Sequence, residues 1–442
     1  MPESAMRVVI VGAGLAGLRA ARLLTQAGAD VAVLEGGQRP GGRVRTVRRG
    51  LKGGQYSESG AEWVDDVNVR VLELLDRYGI ARLGPGEQWT TIRRWLYRDG
   101  RLFSPDELRE ADPRLMDELD AFDRVVEAAT AGVADPARPD LHPDAAALDA
   151  RSLADVADEA GLGELARLFR RRDAQGEFAA EPQQVSLLFV AQQRAHHDQT
   201  SGGRTVLSHR ADGGFGRLAW AMAGEVTDLL HFGEHATAVE QDADGVVVHT
   251  DQRVLRADHV VLACSLVPVR SMRIDFPEPL ATAVRELGYG TVTKTSVQWP
   301  RRRWPNGYAT TAGPAQRVYE PTVDQPGQTG ILMSYCGGAG GHEWAQLDEG
   351  ARIARAAGEM AAMHGLDAAP IGGWSRAWSN EPRYGGSYAV YQPGQVTAFW
   401  AVLRQPWGRV HLAGEHVATC TGYMEGALES GETVATRLIN GG

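Results

Sequence analysis

RVVIVGAGLAGLRAARLLTQAGADVAVLE (residues 7–35) is the stretch that decides the fold of this chain. Its β-branched opening predicts a buried parallel strand over residues 7–11. Apolar residues at helical spacing predict a helix over residues 15–27, and a second strand follows over residues 31–34. Strand, helix and strand together form a βαβ unit of about 30 residues. The chain therefore begins with the repeating unit of a parallel α/β sheet.

The loop between the first strand and the helix carries the pattern GxGxxG. Gly12 permits a tight turn, Gly14 lets the backbone approach a diphosphate, and Gly17 lets the helix pack closely on the strand. Free N–H groups at the helix N-terminus attract phosphate, and Glu35, about 20 residues on, can accept hydrogen bonds from ribose hydroxyls. The loop predicts a dinucleotide site. Its expected contacts in this unit are Gly12, Ala13, Gly14, Gly17, Glu35 and Gly36.

Composition places the chain among globular proteins and excludes several functions. The 442 residues, 43% hydrophobic and 23% charged, suffice for a folded core in roughly two or three domains. A formal net charge of −10 disfavours nucleic acid as a partner. Cys264, Cys336 and Cys420 form no CxxC pair, which predicts a reducing, cytoplasmic location and no metal site. Because no run approaches about 18 apolar residues, we expect no membrane span.

The rest of the chain alternates between helical and strand patterns. We expect helices over 68–80, 106–130, 217–230 and 348–364, and strands over 236–240, 245–250, 259–263, 291–299 and 409–413. Strand–helix alternation lies at both ends and near the middle of the chain. It predicts an α/β fold in which a discontinuous Rossmann-like nucleotide-binding domain carries an inserted mixed α+β substrate-binding domain.

A second glycine motif distinguishes FAD from NAD, which the first loop alone does not do. Residues 39–43 read RPGGR. They resemble the second glycine motif of the GR2 family of flavoproteins, which follows the acid that binds the ribose. Paired glycines expose N–H groups and the guanidinium of Arg43 adds positive charge, and both suit a diphosphate. The motif predicts FAD as the cofactor.

Over nearly its whole length, the sequence resembles the flavin-containing amine oxidases of the monoamine oxidase and polyamine oxidase group. The segments that carry the resemblance are GAGLAGLRAA (12–21), RPGGRVRT (39–46), ESGAEWV (58–64), GGFGRLAWAMA (213–223), TVTKTSV around Lys294, YGGSYAVYQPG (384–394) and LAGEHVATCTGYMEGALESGE (412–432). The resemblance implies a Rossmann-like FAD-binding domain and an inserted substrate-binding domain. The FAD-binding domain is expected to comprise residues 1–78, 206–285 and 386–442. The substrate-binding domain is expected to comprise residues 79–205 and 286–385. A homodimer is common in the family.

The resemblance also implies how FAD is held. Its further expected contacts are Gly42, Arg43, Gly60, Ala61, Glu62, Trp63, Ala236, Gly414, Glu415 and Met424. Some members of the family bond the flavin to a cysteine immediately before the first of two active-site tyrosines. Ser387 occupies that position here, so no thioether can form there and we expect non-covalent FAD.

The reaction of the family removes a hydride from the carbon next to an amine nitrogen. The resulting imine hydrolyses, and reoxidation by O2 yields hydrogen peroxide. Tyr388 and Tyr423 match the two aromatic residues in front of the flavin, whose ring faces favour an amine. Lys294 matches the lysine that reaches flavin N5 through a water. The resemblance implies that these three residues are the catalytic ones.

The identity of the amine is the least determined feature of the sequence. L-Amino acid oxidases of the snake-venom type bind the substrate carboxylate with an arginine in the segment that matches GAEWV, where this chain has Trp63. We therefore expect an amine rather than an amino acid, although Arg204 or another arginine could take that role. Polyamine oxidases hold distant ammonium groups with acids, for which Glu62, Asp65 and Asp66 are candidates. Other candidates for the substrate pocket are Trp378, Tyr391, His197 and Arg204.

Three functions remain open at this point. The first is an oxidase of primary or secondary amines that uses O2. The second is an L-amino acid oxidase of the same fold. The third is a flavin protein with little oxidase turnover, such as a dehydrogenase that passes electrons to a partner. Lys294, Tyr388 and Tyr423 argue against the third.

Overall fold

The computed structural model describes residues 5–84, 94–304 and 308–441. The two domains expected from the sequence also include residues 1–4, 85–93, 305–307 and 442, which lie outside the described residues. The strands are Arg7–Val11, Asp30–Glu35, Thr46–Val47, Ser57–Glu58, Val64–Asp65, Arg82–Leu83, Arg94–Arg98, Arg101–Phe103, Ser208–Ala211, Leu230–Phe232, Ala236–Gln241, Val246–Thr250, Val254–Ala257, His259–Leu262, Gly288–Tyr289, Val292–Trp299, Tyr308–Thr311, Arg317–Tyr319, Gly330–Gly337, Gly372–Ala377, Ala389–Val390 and Val410–Leu412.

Helices surround these strands and connect them. The α-helices are Leu15–Gln26, Val69–Arg77, Pro105–Ala111, Leu115–Ala131, Ala145–Asp149, Leu153–Glu159, Glu164–Glu177, Leu187–Ser201, Gly216–Gly224, Leu266–Val269, Leu280–Glu286, Gly338–Ala345, Glu349–His364, Gln395–Arg404 and Met424–Ile439. Short 3-10 helices are Pro139–Leu141, Pro182–Gln184, Thr227–Leu229, Trp378–Asn380 and Glu415–Val417. Within the described ranges, every helix is too short or too polar to pass through a lipid bilayer.

A parallel sheet built on the opening βαβ unit confirms the α/β fold. Its strand order is Leu230–Phe232, Asp30–Glu35, Arg7–Val11, His259–Leu262 and Val410–Leu412, and every pairing is parallel. These strands come from three separate stretches of the chain, as expected for a discontinuous domain. Because the strands are parallel, their carboxyl ends meet at one edge of the sheet, where ligands of such folds bind. The loop that begins at Gly12 lies at that edge.

A second, largely antiparallel sheet is formed by two strands within residues 94–103 and five strands within the described part of residues 292–377. Its order is Gly372–Ala377, Val292–Trp299, Gly330–Gly337, Arg317–Tyr319, Tyr308–Thr311, Arg94–Arg98 and Arg101–Phe103. All eight residues of Val292–Trp299 are buried, although their sequence alternates between apolar and polar. The polar ones are hydrogen-bonded, as buried polar groups must be: the Thr293 hydroxyl donates to the Gly341 carbonyl, and the Gln298 amide donates to the Lys52 carbonyl.

Two of the expected elements differ from the structure. The helix expected over 106–130 is two helices, Pro105–Ala111 and Leu115–Ala131. Pro113 explains the break because it has no N–H to donate and disfavours helical backbone at the residue before it. The helix expected over 217–230 ends at Gly224, and its last expected residue begins the edge strand Leu230–Phe232. Pairing with Asp30–Glu35 satisfies the backbone of that edge strand.

The closing helix Met424–Ile439 packs against the first helix of the chain at very short range. A Cβ atom placed on Gly431 would lie 2.2 Å from the carbonyl oxygen of Ala16. Real Cβ atoms do not approach backbone oxygen this closely, so Gly431 sets the distance between the two helices. This contact joins the two ends of the chain and fixes the loop at Gly12 relative to the C-terminal segment.

We predict that Gly431→Ala lowers the free energy of unfolding by about 2 kcal/mol, because the added methyl forces two backbones apart. Gly358→Ala is the matched control. Gly358 is exposed in the helix Glu349–His364, and a Cβ there meets nothing within 4 Å. Removing a helical glycine at such a site raises stability by up to about 1 kcal/mol. Urea unfolding of both variants with bound flavin measures the difference, and equal stability of the two would contradict the packing argument.

Candidate active site

Two adjoining cavities lie at the carboxyl edge of the parallel sheet and on the neighbouring antiparallel sheet. The first has a volume of about 520 Å³ and contains the glycine loop. The second has a volume of about 440 Å³ and is lined mainly by aromatic and charged side chains. The residues that line both are Gly60, Ala61, Lys294, Tyr335, Tyr388, Gly422, Tyr423 and Met424. All three catalytic residues expected from the sequence therefore lie where the two cavities meet.

The glycine loop has the backbone that a diphosphate site requires. Gly12 has a φ of +111°, in the region that favours glycine. A Cβ on Gly17 would lie 1.9 Å from the Gly12 carbonyl oxygen, which explains the close packing of helix on strand. Gly14, at the start of the helix Leu15–Gln26, has open space where its Cβ would be and no side-chain cap. The N–H groups of the first helical turn thus face an open cavity that suits an anion.

Glu35 closes this loop at the end of the second strand. Its carboxylate accepts hydrogen bonds from the backbone N–H of Ala13 at 3.0 Å and of Gly37 at 2.7 Å. The side chain is buried, and both Glu35 and Gly36 line the first cavity. Each carboxylate oxygen has two lone pairs, so Glu35 retains acceptors for ribose hydroxyls while it holds the loop.

Glu415 connects the second glycine motif to the tyrosines. Its carboxylate forms an ion pair with Arg43 at 2.8 Å and accepts from the backbone N–H groups of Ala389, at 3.2 Å, and Gly422, at 3.0 Å. Ala389 follows Tyr388 in the chain, and Gly422 precedes Tyr423. The Nη1 atom of Arg43 is buried without a hydrogen-bond partner among the described residues. This orphaned donor and the open backbone at Gly14 fit the diphosphate of a dinucleotide.

The other cofactor residues expected from the sequence divide between the two cavities. The residues that line the first cavity are Gly42, Gly60, Ala61, Ala236, Gly414 and Met424. Glu62 and Trp63 line only the second cavity, on the side away from the glycine loop. They therefore belong to the wall of the aromatic cavity, because the chain leaves the first cavity after Ala61.

His416 also lines the first cavity, although the sequence did not predict it as a site residue. It is fully buried, and neither ring nitrogen has a hydrogen-bond partner in the described part of the chain. Burial lowers the pKa of His416 to about 4, so the imidazole is neutral near pH 7. The signal that could have predicted His416 as a site residue is its position in the C-terminal motif, two residues after Gly414.

Lys294 is held in a buried network of charges. Its ammonium donates to Glu62 Oε2 at 2.8 Å and to the Gly60 carbonyl at 3.1 Å, and its side chain is only about 5% exposed. The Tyr319 hydroxyl also donates to Glu62, at 2.6 Å, and Arg210 lies 3.3 Å from the other carboxylate oxygen. Burial raises the pKa of Glu62, but the charges of Lys294 and Arg210 outweigh it and the pKa is lowered. Glu62 is therefore a carboxylate that fixes the lysine ammonium.

Tyr388 and Tyr423 form the passage between the cavities. The Tyr388 hydroxyl donates to the Gly176 carbonyl at 2.9 Å and is 2.9 Å from the hydroxyl of Tyr335, which consequently donates to it. Burial and the neighbouring Tyr335 raise the pKa of Tyr388 well above its ordinary value, so its ring stays neutral. A Cβ on Gly422 would come within 3.3 Å of the Tyr388 ring, so glycine there makes room for the ring.

The residues predicted for the substrate pocket lie in different parts of the structure. Trp378 lines the first cavity and donates from Nε1 to the Ser59 carbonyl at 2.7 Å. Tyr391 is fully buried in the core, where its hydroxyl donates to the His416 carbonyl. His197 is exposed, and exposed Arg204 pairs with Asp66 at 3.0 Å. The structure does not bring Tyr391, His197 or Arg204 to either cavity.

Several residues of the second cavity carried no recognisable motif. Tyr308, Arg317, Tyr319 and Tyr335 line it from three strands of the antiparallel sheet, and Glu177 lines it from the end of a helix. The strand Arg317–Tyr319 has only three residues, too few for a periodic pattern to be visible. These side chains are brought together by strand pairing across the sheet, which local sequence does not encode.

Comparison with known proteins agrees with this geometry. Residues 15–439 match the family described as flavin containing amine oxidoreductase. The chain is 27% identical to an L-amino acid dehydrogenase of Synechocystis sp., over 99% of this chain and 96% of that one. It is 26% identical to a flavin-containing amine oxidase of Danio rerio, over 99% and 87% of the two chains.

Solved structures show the same fold. Cyclohexylamine oxidase from Brevibacterium oxydans superposes with a TM-score of 0.87 at 24% identity, covering 99% of both chains. A putrescine oxidase bound to putrescine has a TM-score of 0.86 at 22% identity, covering 99% of this chain and 100% of that one. Together with the two-cavity site, the family match confirms the resemblance seen in the sequence motifs. The chain belongs to the family of flavin-containing amine oxidoreductases.

Proposed function

We propose that this flavin-dependent amine oxidoreductase is an oxidase that holds FAD non-covalently in the first cavity and an amine in the second. The loop at Gly12–Gly17 and Arg43 would hold the diphosphate, and Glu35 would hold a ribose. The observation that carries the proposal is that Lys294, Tyr388 and Tyr423 all line both cavities, at the junction where the two meet. The substrate carbon and the cofactor would meet there.

The residues at the junction can prepare an amine for loss of hydride. Bound FAD supplies the two-electron acceptor for the hydrogen on the carbon next to nitrogen. The negative ring faces of Tyr388 and Tyr423 favour the amine over water and limit its orientations. Hydrogen bonds from the Tyr388 hydroxyl to Gly176 and from Tyr335 to the Tyr388 hydroxyl keep the ring in place. A fixed ring lowers the entropic cost of orienting the amine for reaction.

Lys294 supports reaction with O2 rather than with a protein electron acceptor. Reduction of O2 to peroxide builds negative charge, which a nearby fixed cation stabilises. The bonds from Lys294 to Glu62 and Gly60 fix the ammonium at the junction. The alternative function is a dehydrogenase whose reduced flavin reacts slowly with O2. The relative from Synechocystis sp. is named a dehydrogenase.

We predict that Lys294→Met slows reoxidation of the reduced flavin by O2 by about 10²-fold, because it removes the fixed positive charge. Stopped-flow mixing of the anaerobically reduced protein with O2 measures this rate. Lys52→Met is the control, since Lys52 is the other lysine of the chain and its side chain is exposed. Its reoxidation rate should equal that of the wild type.

Two results obtained with an amine substrate separate the oxidase from the dehydrogenase, and a third tests the role of Lys294. Peroxide formed in proportion to the amine consumed supports the oxidase. Rapid flavin reduction by an amine, followed by slow reoxidation in the wild type itself, identifies a dehydrogenase. Unchanged reoxidation in Lys294→Met removes this lysine from the reaction with O2, and the rate of anaerobic reduction by substrate shows whether the variant is folded.

We predict that Glu415→Gln weakens FAD binding by about tenfold or more, because the charge-assisted bond to Arg43 is lost. Titration of the apoprotein with FAD, followed by flavin fluorescence, measures the dissociation constant. Glu432→Gln is the control: Glu432 lies on the closing helix Met424–Ile439 and pairs with Arg19 and Arg70, but it does not line the first cavity. Equal affinities of the two variants would contradict the role of Glu415.

We predict that acid precipitation releases all the flavin into the supernatant. Ser387 lines the first cavity where a cysteine would be required for a thioether. Cys264 also lines this cavity, but burial and the charge of Glu35 raise the pKa of its thiol to about 12, so it is a poor nucleophile. A yellow pellet would contradict the prediction, and loss of that colour in Cys264→Ser would identify Cys264 as the attachment point.

A further inference from the structure

Arg317 is a charged side chain in the wall of the second cavity that the reaction described above does not use. It belongs to the short strand Arg317–Tyr319, and its side chain is about 15% exposed. Nη2 donates to Asp173 at 3.2 Å, whereas Nε is buried without a partner in the described residues. The guanidinium is thus oriented by one carboxylate without using all its donors.

Gly176 shows that the structure makes room for this guanidinium. A Cβ on Gly176 would lie 1.7 Å from Arg317 Nη1 and 2.0 Å from Cζ. Gly176 lies near the end of the helix Glu164–Glu177, where glycine is less favourable than alanine. Because any larger residue would displace Arg317, this helix and this side chain are fitted to each other.

Gly176 also connects Arg317 to the catalytic passage. Its carbonyl accepts the hydrogen bond from the Tyr388 hydroxyl. Arg317 also packs beside Tyr308, with Cζ 5.7 Å from the ring centroid. The arginine therefore lies in the same aromatic wall as Tyr388, within reach of a group attached to a substrate held there.

The other positive groups near this cavity are engaged elsewhere. Lys294 is bonded to Glu62. Arg210 pairs with Glu62, and its guanidinium lies 3.9 Å from the ring centroid of Trp63. Trp63 lines the cavity, whereas Arg210 does not. Arg317 is consequently the guanidinium that the described part of the chain presents to the cavity.

We propose that Arg317 binds a carboxylate carried by the amine substrate, so that amino acids are preferred over the corresponding simple amines. The planar guanidinium fork matches a carboxylate in geometry, and Asp173 does not use all of its donors. The proposal rests on the proposed oxidase function and names its substrate class. It revises the expectation drawn from Trp63, because an arginine about 250 residues later in the chain lies in the cavity that Trp63 lines.

The test compares matched substrates on the flavin-loaded protein. Phenylalanine is paired with phenethylamine, and 4-aminobutanoate with butylamine, so that each pair differs by one carboxylate at a different distance from nitrogen. The wild type should show a higher kcat/KM for the acid of at least one pair. Arg317→Gln should lower kcat/KM for that acid by about 10²-fold, mainly through KM, and leave the amine unchanged, because a buried charge partner is lost.

Two further measurements separate binding from a structural role. Benzoate should perturb the absorbance spectrum of the oxidised flavin in the wild type and not in Arg317→Gln, and Arg317→Lys should restore part of the effect. Arg170→Gln is the matched control, since Arg170 also pairs with Asp173 but does not line the cavity. Its kinetics and benzoate response should equal those of the wild type.

The outcomes are distinguishable. Turnover of both amines, with the acids inert and benzoate without effect, would overturn the inference and leave the oxidase function intact. Equal losses for acid and amine in Arg317→Gln would also overturn it, because they would show a structural role. Putrescine is assayed beside the two pairs, and its preference over both acids would overturn the inference and assign recognition to Glu177, which lines the same cavity. If none of the substrates reduces the flavin, the proposed oxidase function itself fails.

Discussion

The carboxylate of Glu415 is the contact on which the site depends. It pairs with Arg43 from the second glycine motif and accepts backbone N–H groups beside Tyr388 and Tyr423. One buried side chain thereby joins the N-terminal glycine motif to two C-terminal segments that carry the aromatic passage. Such an interaction contributes geometry more than stability, because burying a charge pair costs much of what the attraction returns. The gain is that the two cavities are held in one fixed relation.

A second buried charge group performs the same task on the other side of the passage. Glu62 accepts from Lys294 and Tyr319 and lies beside Arg210, so it draws together three separate strands. Removing either partner of such a group leaves an uncompensated charge in the interior, which is strongly unfavourable. The two carboxylates therefore fix the passage from both cavities, and Tyr388 and Lys294 acquire their positions from neighbours rather than from their own local sequence.

Sequence predicted the nucleotide-binding half more fully than the substrate half. The strands Arg7–Val11 and Asp30–Glu35 were predicted to within a residue because β-branched runs and glycines mark them directly. The prediction of one helix over 106–130 was wrong, because Pro113 ends the helical backbone although the apolar residues continue at helical spacing. Glu62 and Trp63 were expected at the cofactor and line the aromatic cavity instead. A motif predicts that a segment lies at the site, but not which cavity each of its residues lines.

By itself, the sequence determined the βαβ unit, the two glycine motifs, the family, and the three residues at the junction of the cavities. The βαβ unit and the glycine motifs depend on short spacings along the chain, such as the three glycines of one loop, and local backbone geometry follows from them. The three residues at the junction follow instead from the resemblance of longer segments to the family. The tertiary structure decided the contents of the second cavity. Arg317, Tyr335 and Gly176 meet there through strand pairing and helix packing across distant parts of the chain. Contacts of this kind arise from the packing of whole elements, and no local period or motif encodes them.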